Sequence, residues 1–361
     1  MKVLLINRVD FSDPGNHGLL VKMQGQCKAL ENLGHHVATA SLFKNTIQLD
    51  RVDGVRQAPN STSKLHLYHQ VFYRYLQRSL QEIKPDVVIL RFHLFHRTLL
   101  RFLRKCEALG IYTMIEFPTF PFRLEFTSVS QRLRLALHRY FLQSVLTNVN
   151  SLFHYGVGER IYQRPSLKLT NGIDIDRFEL IESTDADEVF TLIAVGKWQY
   201  WHGLDRLLDS VAMRKEGDIR LLVVGMTPHL KSLQTSAMHA SPSIEFLGSL
   251  SGDNLTAAFS RADVGVGALG LHRKDLAEAS PLKHREYCAR GLPFIYASRD
   301  QDFDGCDFIK NIPATDDPID LDEIKEFCLQ ARRFSRADIR AYARQNLGWE
   351  DRMQKIMELV S

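Results

Sequence analysis

Apolar residues along the chain fall into short continuous runs that alternate with longer amphipathic segments. Residues 2–8 are almost uniformly apolar between polar ends, which predicts a strand buried on both faces of a parallel sheet. Apolar residues with helical spacing follow over 20–33, Gly34 is suited to end that helix, and a second apolar run covers 37–42. The start of the chain therefore predicts a βαβ unit.

The same rhythm continues through both halves of the chain. Further strands are predicted at 84–91, 112–118, 151–155, 190–196, 220–224, 244–247, 264–268 and 294–297. Further helices are predicted at 67–83, 97–109, 204–215, 254–262, 283–289, 321–333 and 336–359, and residues 44–64 are predicted to form a loop. This pattern indicates the α/β class, with two Rossmann-like domains.

One stretch after the middle of the second half has the features of a ligand site. Residues 275–295 read DLAEASPLKHREYCARGLPFI, with Glu278 in a loop and Glu286 in a short helix. The first-turn N–H groups of such a helix favour an anion, and Lys283 adds a positive charge beside them. Glu286, one to two turns further on, can accept hydrogen bonds from the hydroxyls of a ribose. The segment predicts half of a sugar-nucleotide pocket.

This string resembles the paired-glutamate motif of retaining glycosyltransferases of the GT-B fold, in particular family 4 (group 1). The string NGIDIDRF at 171–178 is similar to the family's domain junction. The resemblance implies two facing Rossmann-like domains with a C-terminal helix that crosses back to the first. The expected segments are an acceptor-side domain at 1–170, a donor nucleotide-sugar domain at 171–340, and the returning helix at 341–361.

The resemblance also implies a pair of cations that clamp the donor's diphosphate. The family has arginine and lysine in this loop, where this chain has Lys197 and His202. A histidine can still donate a hydrogen bond, but its full charge is not assured near neutral pH. The alternative is a solvated lysine and a packed histidine, and Trp198 and Trp201 belong either to the core or to an acceptor-stacking surface.

The expected site residues follow from the same resemblance, except that Glu116 is proposed from its position at the end of a strand and Arg273 from its basic loop. The donor-binding residues are Gly15, Gly18, Lys197, His202, Arg273, Glu278, Ser280, Leu282, Lys283 and Glu286. The catalytic residues, acting through position and electrostatics, are Glu278, Lys197 and Glu116. A plain tight turn remains the alternative for Gly15 to Gly18, and a solvated loop the alternative for Arg273.

Glu116 ends a predicted strand, where open α/β sheets place their ligands. Many relatives carry a histidine near this point. The alternative is that Glu116 pairs with Arg91 or Arg123 at the edge of the sheet. Asn171 and Asp174 fit structural roles as turn and cap residues better than catalytic ones.

Composition narrows the class of protein. With 45% hydrophobic and 24% charged residues the chain is typical of a soluble globular protein, and no run of about 18 uncharged apolar residues is present. The net charge of +4 hides an asymmetry: residues 1–170 hold 23 Lys and Arg against 11 Asp and Glu, and residues 171–361 hold 23 against 31. The basic segments 97–105 and 122–141 fit an anionic membrane surface or solvated surface helices, and no nucleic-acid-binding motif accompanies them.

Cysteine and histidine usage predicts neither disulfides nor a metal site. The five cysteines are widely spaced without a CxxC pair, which favours a reducing cytoplasm. The fourteen histidines lack a ligand spacing backed by carboxylates, and no DxD motif occurs in a suitable place. We therefore expect neither a metal nor a cofactor, with the nucleotide-diphosphate sugar as a substrate.

The resemblance implies a retaining glycosyltransferase of the hexosyltransferase type, and the lack of a metal-binding pattern predicts that it is metal-independent. It would transfer sugar from a nucleotide-diphosphate sugar to a glycan or lipid-linked acceptor in surface polysaccharide or glycolipid synthesis. Its expected location is the cytoplasm, or the inner face of the membrane as a peripheral protein. The alternatives are a catalytically inactive donor-binding partner subunit and a sugar-nucleotide epimerase of similar fold.

Overall fold

The chain divides into two compact units. The computed structural model describes residues 1–44, 46–51, 54–57, 65–122, 129–182, 189–215, 217–235 and 241–360. The first unit comprises Met1–Leu169 and Trp349–Ser361, and the second comprises Thr170–Gly348. The boundaries expected from the sequence lie after residues 170 and 340.

The elements alternate between strands and helices. The strands are β1 (Lys2–Asp10), β2 (His36–Phe43), β3 (Thr46–Arg51), β4 (Gly54–Gln57), β5 (Val87–Arg91), β6 (Tyr112–Phe117), β7 (Ser151–His154), β8 (Arg160–Ile161), β9 (Arg164–Pro165), β10 (Leu167–Lys168), β11 (Phe190–Val195), β12 (Ile219–Val224), β13 (Ile244–Gly248), β14 (Val264–Val266), β15 (Phe294–Tyr296) and β16 (Ile309–Asn311). The helices are α1 (His17–Asn32), α2 (Leu65–Ile83), α3 (Arg97–Ala108), α4 (Val129–Thr147), α5 (Leu204–Met213), α6 (Pro228–Gln234), α7 (Gly252–Ser260), α8 (Leu282–Ala289), α9 (Leu321–Ala331), α10 (Arg336–Asn346) and α11 (Trp349–Met357).

The first unit is built on a sheet with the strand order β10-β7-β6-β5-β1-β2-β3-β4. The strands from β10 to β2 run parallel. In β1, Leu4 and Ile6 face the core that includes α2 and α3, whereas Val3 and Leu5 face the core that includes α1 and α11. This alternation confirms the prediction of a strand buried on both faces.

The predicted loop at 44–64 was wrong where the structure describes it. Strands β3 and β4 extend the sheet there by antiparallel pairing. Ile47 and Leu49 are buried, whereas Gln48 and Asp50, which follow each of them, are half-buried. This alternation is the period-two pattern of a strand with one covered face. Residues 45, 52–53 and 58–64 lie outside the described part of the chain.

The second unit repeats the α/β plan on a parallel sheet with the order β13-β12-β11-β14-β15-β16. Its central strand β11 pairs with β12 over its full length and with β14 at residues 192–194. Helices pack on both faces, since Leu192 belongs to a core with α5 and α9 while Ile193 belongs to one with α7, α8 and α10. This is the Rossmann-like arrangement that the alternating pattern predicts.

The predicted single helix at 336–359 is instead divided into α10 and α11. Between them Leu347 is fully buried, and its carbonyl accepts a hydrogen bond from the Ile173 N–H at 2.8 Å. Past the break, Trp349 and Met353 pack into the first unit beside Phe153. This packing explains why the chain returns to the first unit at Trp349.

No helix in the described part of the chain is both long and apolar enough to cross a lipid bilayer.

Candidate active site

The loop and helix around α8 have the order that the sequence predicts. The helix begins at Leu282 after Pro281, and no side chain caps its N-terminus. It ends at Ala289 with Arg290 as its C-cap, and Gly291 then takes a φ of 78°, where an added Cβ would lie 2.4 Å from the Arg336 carbonyl oxygen. The glycine is required at this turn, and the first-turn N–H groups of α8 remain suited to an anion.

The paired glutamates lie on either side of this helix start. Glu278 precedes it, is 9% exposed, and has its Oε2 3.9 Å from Arg299 Nη1. Glu286 lies inside α8, and its Oε1 accepts a hydrogen bond from Arg290 Nε at 3.0 Å. Its side chain keeps 21% exposure, so a ligand can reach it.

A buried network of charged residues joins α8 to the segment that follows β15. Arg285 and Asp300 are both fully buried, with Arg285 Nη2 donating to Asp300 Oδ1 at 2.8 Å and Nη1 donating to Oδ2. Asp302 accepts a further hydrogen bond from Arg285 Nη2, and His284 Nδ1 lies 2.9 Å from Asp300 Oδ2. Burial alone would raise the pKa of Asp300, but Arg285 and His284 lower that pKa to about 2.

The two motifs that carried the family resemblance are in direct contact. The Asn171 N–H donates to Ser280 Oγ at 2.6 Å, and Asn171 Nδ2 donates to the Ser280 carbonyl at 2.5 Å. Arg285 Nε also donates to the Asn171 carbonyl at 2.9 Å. Ser280, predicted to bind the donor, thus joins the segment at Asn171 to the start of α8, and Asn171 has a structural role.

Lys283 is the cation closest to the helix start, and it lies in an unusual environment. Its Nζ lies 3.9 Å from the centre of the Trp198 ring and, among the described residues, has no hydrogen-bond partner. A Cβ placed on Gly196 would lie 3.3 Å from this nitrogen, so the loop after β11 reaches α8 here. Burial lowers the pKa of Lys283 to about 7.

The loop after β11 contains both members of the predicted clamp. Lys197 is exposed, and Trp198 is fully buried with its Nε1 donating to the Val224 carbonyl at 3.0 Å. Trp198 is therefore a core residue, which settles an alternative that the sequence left open. His202 Nδ1 accepts the Gln199 N–H at 2.9 Å, so a neutral ring carries its proton on Nε2.

His202 is not a second full charge. Burial lowers its pKa well below the usual range, and the nearby charges of Lys283 and Lys274 lower it further. The side chain can donate one N–H but contributes no formal charge at neutral pH. Of the two residues predicted to clamp the diphosphate, only Lys197 can therefore supply a formal charge, and Lys283 and Lys274 are further lysines close to His202.

Arg273 was predicted to bind the donor, but the structure directs its guanidinium to protein partners. Its Nη1 and Nη2 each donate to Asp205 at 2.8 Å, its Nε donates to Asp316 at 2.7 Å, and Nη1 also donates to the Tyr200 carbonyl at 2.6 Å. These bonds tie the turn at Leu271–Lys274 to the start of α5. A role in donor binding remains a prediction for Arg273.

The remaining predicted residues belong to the first unit. Glu116 is 4% exposed, accepts a hydrogen bond from Lys22 Nζ at 2.5 Å, and lies 3.4 Å from Arg91 Nη1. Burial would raise its pKa, but Lys22 and Arg91 lower the pKa overall. Gly15 and Gly18 are exposed, and a Cβ on Gly18 would meet nothing within 4 Å.

Glu116 therefore forms a buried ion pair within the first unit. This arrangement is similar to the alternative given from the sequence, in which Glu116 pairs with an arginine at the edge of the sheet. The partner Lys22 comes from α1 and also lies 3.9 Å from the centre of the Tyr155 ring. Burial lowers the pKa of Lys22 to about 8, although Glu116 opposes this shift. Of the two other residues proposed as partners, Arg91 is in contact and Arg123 lies outside the described residues.

Sequence reasoning missed Arg285, His284 and Asp300. A charged run in a short helix is usually solvated, so nothing marked Arg285 as buried. A signal was present, because an eight-residue helix that packs against a sheet must turn part of the run His284-Arg285-Glu286 inward. Asp300 and Asp302 follow β15 and supply the charges that such a burial requires.

A comparison with known protein families matches the part of the chain that contains the candidate site. Residues 176–301 match the family model described as Glycosyl transferases group 1. This match confirms the predicted resemblance over that segment, which contains Lys197 and both glutamates of the motif. No curated protein matches the chain in sequence.

Solved structures resemble the chain over nearly its whole length. A glycosyltransferase from Rickettsia africae has a TM-score of 0.65 at 12% identity, with 99% of this chain and 97% of that chain covered. The Anabaena protein HepE, solved with UDP and glucose, has a TM-score of 0.63 at 14% identity, covering 99% and 98%. A putative UDP-N-acetylglucosamine 2-epimerase from Listeria monocytogenes has a TM-score of 0.53 at 12% identity, covering 99% and 94%.

These likenesses confirm the predicted GT-B fold. At such low identity they establish the fold alone, because one fold supports many activities.

The buried network gives a prediction about stability. Replacing Arg285 with Met leaves Asp300 and Asp302 without their buried counter-charge, so we expect the free energy of unfolding to fall by about 3–5 kcal/mol. Urea unfolding followed by circular dichroism measures this change. Arg344→Met is the control, since Arg344 is 58% exposed in a surface pair with Asp176 and should change stability by less than about 1 kcal/mol. Equal effects of the two substitutions would show that the network does not support the second unit.

Proposed function

We propose that this chain is a retaining glycosyltransferase that moves a sugar from a nucleotide-diphosphate sugar to a glycan or lipid-linked acceptor. The observation that carries the proposal is the buried Lys283 ammonium, without a hydrogen-bond partner in the described part of the chain, beside the uncapped start of α8. A cation that belongs to the first turn of a helix and has lost its contact with water gains most from a bound anion such as a diphosphate. The group 1 match over residues 176–301 and the UDP and glucose bound by HepE support the choice of ligand.

The chemistry follows from where charge develops in the reaction. Breaking the bond between sugar and diphosphate leaves negative charge on the diphosphate. Lys283, Lys197 and the N-terminal dipole of α8 would stabilise this charge, which is the usual source of rate enhancement in such sites. Glu278 would hold hydroxyls of the transferred sugar, and Glu286 the ribose.

A retaining outcome requires no carboxylate nucleophile in this scheme. The departing phosphate oxygen can accept the proton of the acceptor hydroxyl on the face from which the diphosphate leaves. The new glycosidic bond then forms on that same face. We propose a metal-independent hexosyl transfer, in which the lysines and the helix dipole supply the positive charge, as a step in surface polysaccharide or glycolipid synthesis.

Two alternatives each have an observation in their favour. The neutral His202, where the family places a lysine, favours a donor-binding partner subunit without activity. The structural likeness to the Listeria epimerase favours a sugar-nucleotide epimerase. Turnover separates them: the subunit would bind a nucleotide without consuming donor, and the epimerase would convert a donor without any acceptor.

We further propose that the first unit docks on an anionic membrane surface through α4. Val129, Leu133, Leu137 and Tyr140 on this helix are 85%, 66%, 53% and 79% exposed. Their spacing of four, four and three residues places them along one face. Exposed arginines at 132 and 139 accompany this apolar stripe, so a partner that is both apolar and anionic fits it best.

The donor site is tested by nucleotide binding. UDP, GDP, ADP, CMP and dTDP are screened one at a time by thermal shift, and we expect one diphosphate to raise the melting temperature. Glu286→Ala should weaken the affinity about tenfold to a hundredfold, because it removes a charged acceptor of ribose hydroxyls. Glu326→Ala, which removes an exposed carboxylate from α9, is the matched control. Absence of a shift with every nucleotide would refute the sugar-nucleotide proposal.

The pH dependence of nucleotide binding tests Lys283. In the free protein its pKa is lowered to about 7, so above that pH the amine is mainly neutral. A bound diphosphate favours the charged form and raises the pKa, so binding above pH 7 takes up a proton and weakens by up to about tenfold per pH unit. Calorimetry at pH 8 in two buffers of different ionisation enthalpy measures the uptake. Lys283→Met should abolish it, whereas uptake that persists in this variant would assign the proton elsewhere.

Membrane docking is tested with lipid vesicles. We expect co-sedimentation with vesicles that contain phosphatidylglycerol and little with pure phosphatidylcholine, and added salt should reduce the binding. The double substitution Leu133→Glu and Leu137→Glu should abolish the binding. Met213→Glu is the control, since Met213 is an apolar residue of the second unit that is 60% exposed. Unchanged binding of the double variant would exclude α4 as the docking surface.

A further inference from the structure

A second polar cluster lies in the first unit, separate from Glu116 and Lys22. It includes Arg8, which lies near the carboxyl end of β1 and within electrostatic reach of Tyr73 in α2. The histidines at 93 and 96, which follow β5, pack against the Tyr73 ring. The carboxyl-terminal edge of a parallel sheet is where α/β folds bind ligands.

The hydrogen bonds of the two histidines fix where their protons lie. His93 Nδ1 is 3.0 Å from the Leu94 carbonyl and donates to it, so Nε2 accepts from the Tyr73 hydroxyl. His96 Nδ1 accepts the Leu99 N–H at 3.3 Å and lies 2.6 Å from the Thr98 hydroxyl. The His96 proton is therefore on Nε2, which makes this ring a hydrogen-bond donor.

The rings of the cluster are close to one another. His93 and His96 are stacked, with ring centres 5.3 Å apart and an angle of 18° between the planes. The Tyr73 ring centre lies 5.5 Å from each histidine. Burial lowers the pKa of both histidines, and the charge of Arg8 is the next largest cause for each. Arg8 is thus within electrostatic reach of both rings, and both rings are neutral.

Arg8 itself has no counter-charge among the described residues. It makes no hydrogen bond or ion pair with any of them, and its Nη1 is fully buried without a partner. Tyr73 is neutral at ordinary pH because burial raises the pKa of its hydroxyl, and the other nearby charge, that of Arg134, is also positive. Arg8 as a whole is half-buried, so it is this one nitrogen that has lost water without gaining an acceptor, which is unfavourable unless an anion binds there.

We infer that Arg8 and the Nε2–H of His96 form a subsite for an oxyanion, a phosphoryl or carboxylate group carried by the sugar acceptor. The guanidinium presents paired N–H donors that match two oxygens of either group, and the histidine supplies a neutral donor beside it. The assignment to an acceptor rests on the proposed glycosyl transfer, whereas binding of the oxyanion does not. The inferred acceptor is an anionic glycan or a phosphorylated lipid-linked sugar.

The test follows the histidine ring signals by NMR while inorganic phosphate or acetate is added to the whole protein. The His93 and His96 signals are assigned with His93→Gln and His96→Gln. We expect phosphate, acetate or both to shift these two signals, and the more effective probe identifies the group as phosphoryl or carboxylate. Arg8→Gln should weaken the effective probe about tenfold or more, because a charge-assisted hydrogen bond is lost.

The controls separate this subsite from general charge effects and from the donor site. Arg101→Gln removes an exposed arginine of α3 and should leave the titration unchanged. If Arg8→Gln fails to fold, Arg8→Lys keeps the charge without the paired donors and should bind the probe several-fold more weakly. No shift with either probe, or an unchanged titration in the folded Arg8 variant, would overturn the inference. If the protein binds a nucleotide but the histidine signals do not respond to phosphate or acetate, only this subsite is rejected. If the histidine signals respond but no nucleotide binds, only the proposed sugar-nucleotide donor is rejected.

Discussion

The second unit depends on one buried ion pair, between Arg285 in α8 and Asp300 after β15. A charge in a protein interior is stable only when its partner and its remaining hydrogen bonds are all present. Arg285 satisfies this condition by bonding also to Asp302 and to the Asn171 carbonyl. The pair therefore fixes three separate segments at once, and removal of any one leaves a buried charge or donor without its partner.

The Arg285–Asp300 ion pair explains how the N-terminal turn of α8 can remain suited to a ligand. Ser280 and Asn171 hold the loop before the helix, so its first turn needs no side-chain cap. Lys283 lies in the first turn of α8, with its Nζ over the Trp198 ring and without a hydrogen-bond partner among the described residues. Such an arrangement is unfavourable in the free protein, and it is stable only because the network beneath is satisfied. The first unit shows a related case in Arg8, whose Nη1 is buried without a hydrogen-bond partner among the described residues although the residue as a whole is half-buried.

The sequence predicts the features that depend on local pattern, and misses those that depend on distant partners. The predictions of buried strands such as β1 and of the position of α8 are confirmed. These features depend on apolar runs and on proline and glycine residues, which determine the backbone structure within a few residues of themselves. The division at Leu347 was missed because α10 and α11 belong to different units, which no local pattern indicates. The residues of the candidate site follow the same rule. Glu278 and Glu286 are predicted from the string at 275–295 and its resemblance to the family motif. The neutral state of His202 could not be predicted in this way, because it depends on burial and on Lys283, which lies far along the chain.

The most direct test of the central claim is a crystal structure of the protein with the nucleoside diphosphate that it binds. The account predicts diphosphate oxygens within hydrogen-bond distance of Lys283 Nζ and of the first-turn N–H groups of α8, with a ribose hydroxyl on Glu286. It also predicts that Arg285 and Asp300 keep their contacts when the ligand is bound. A nucleotide bound away from α8, or a diphosphate that does not contact Lys283, would contradict the account.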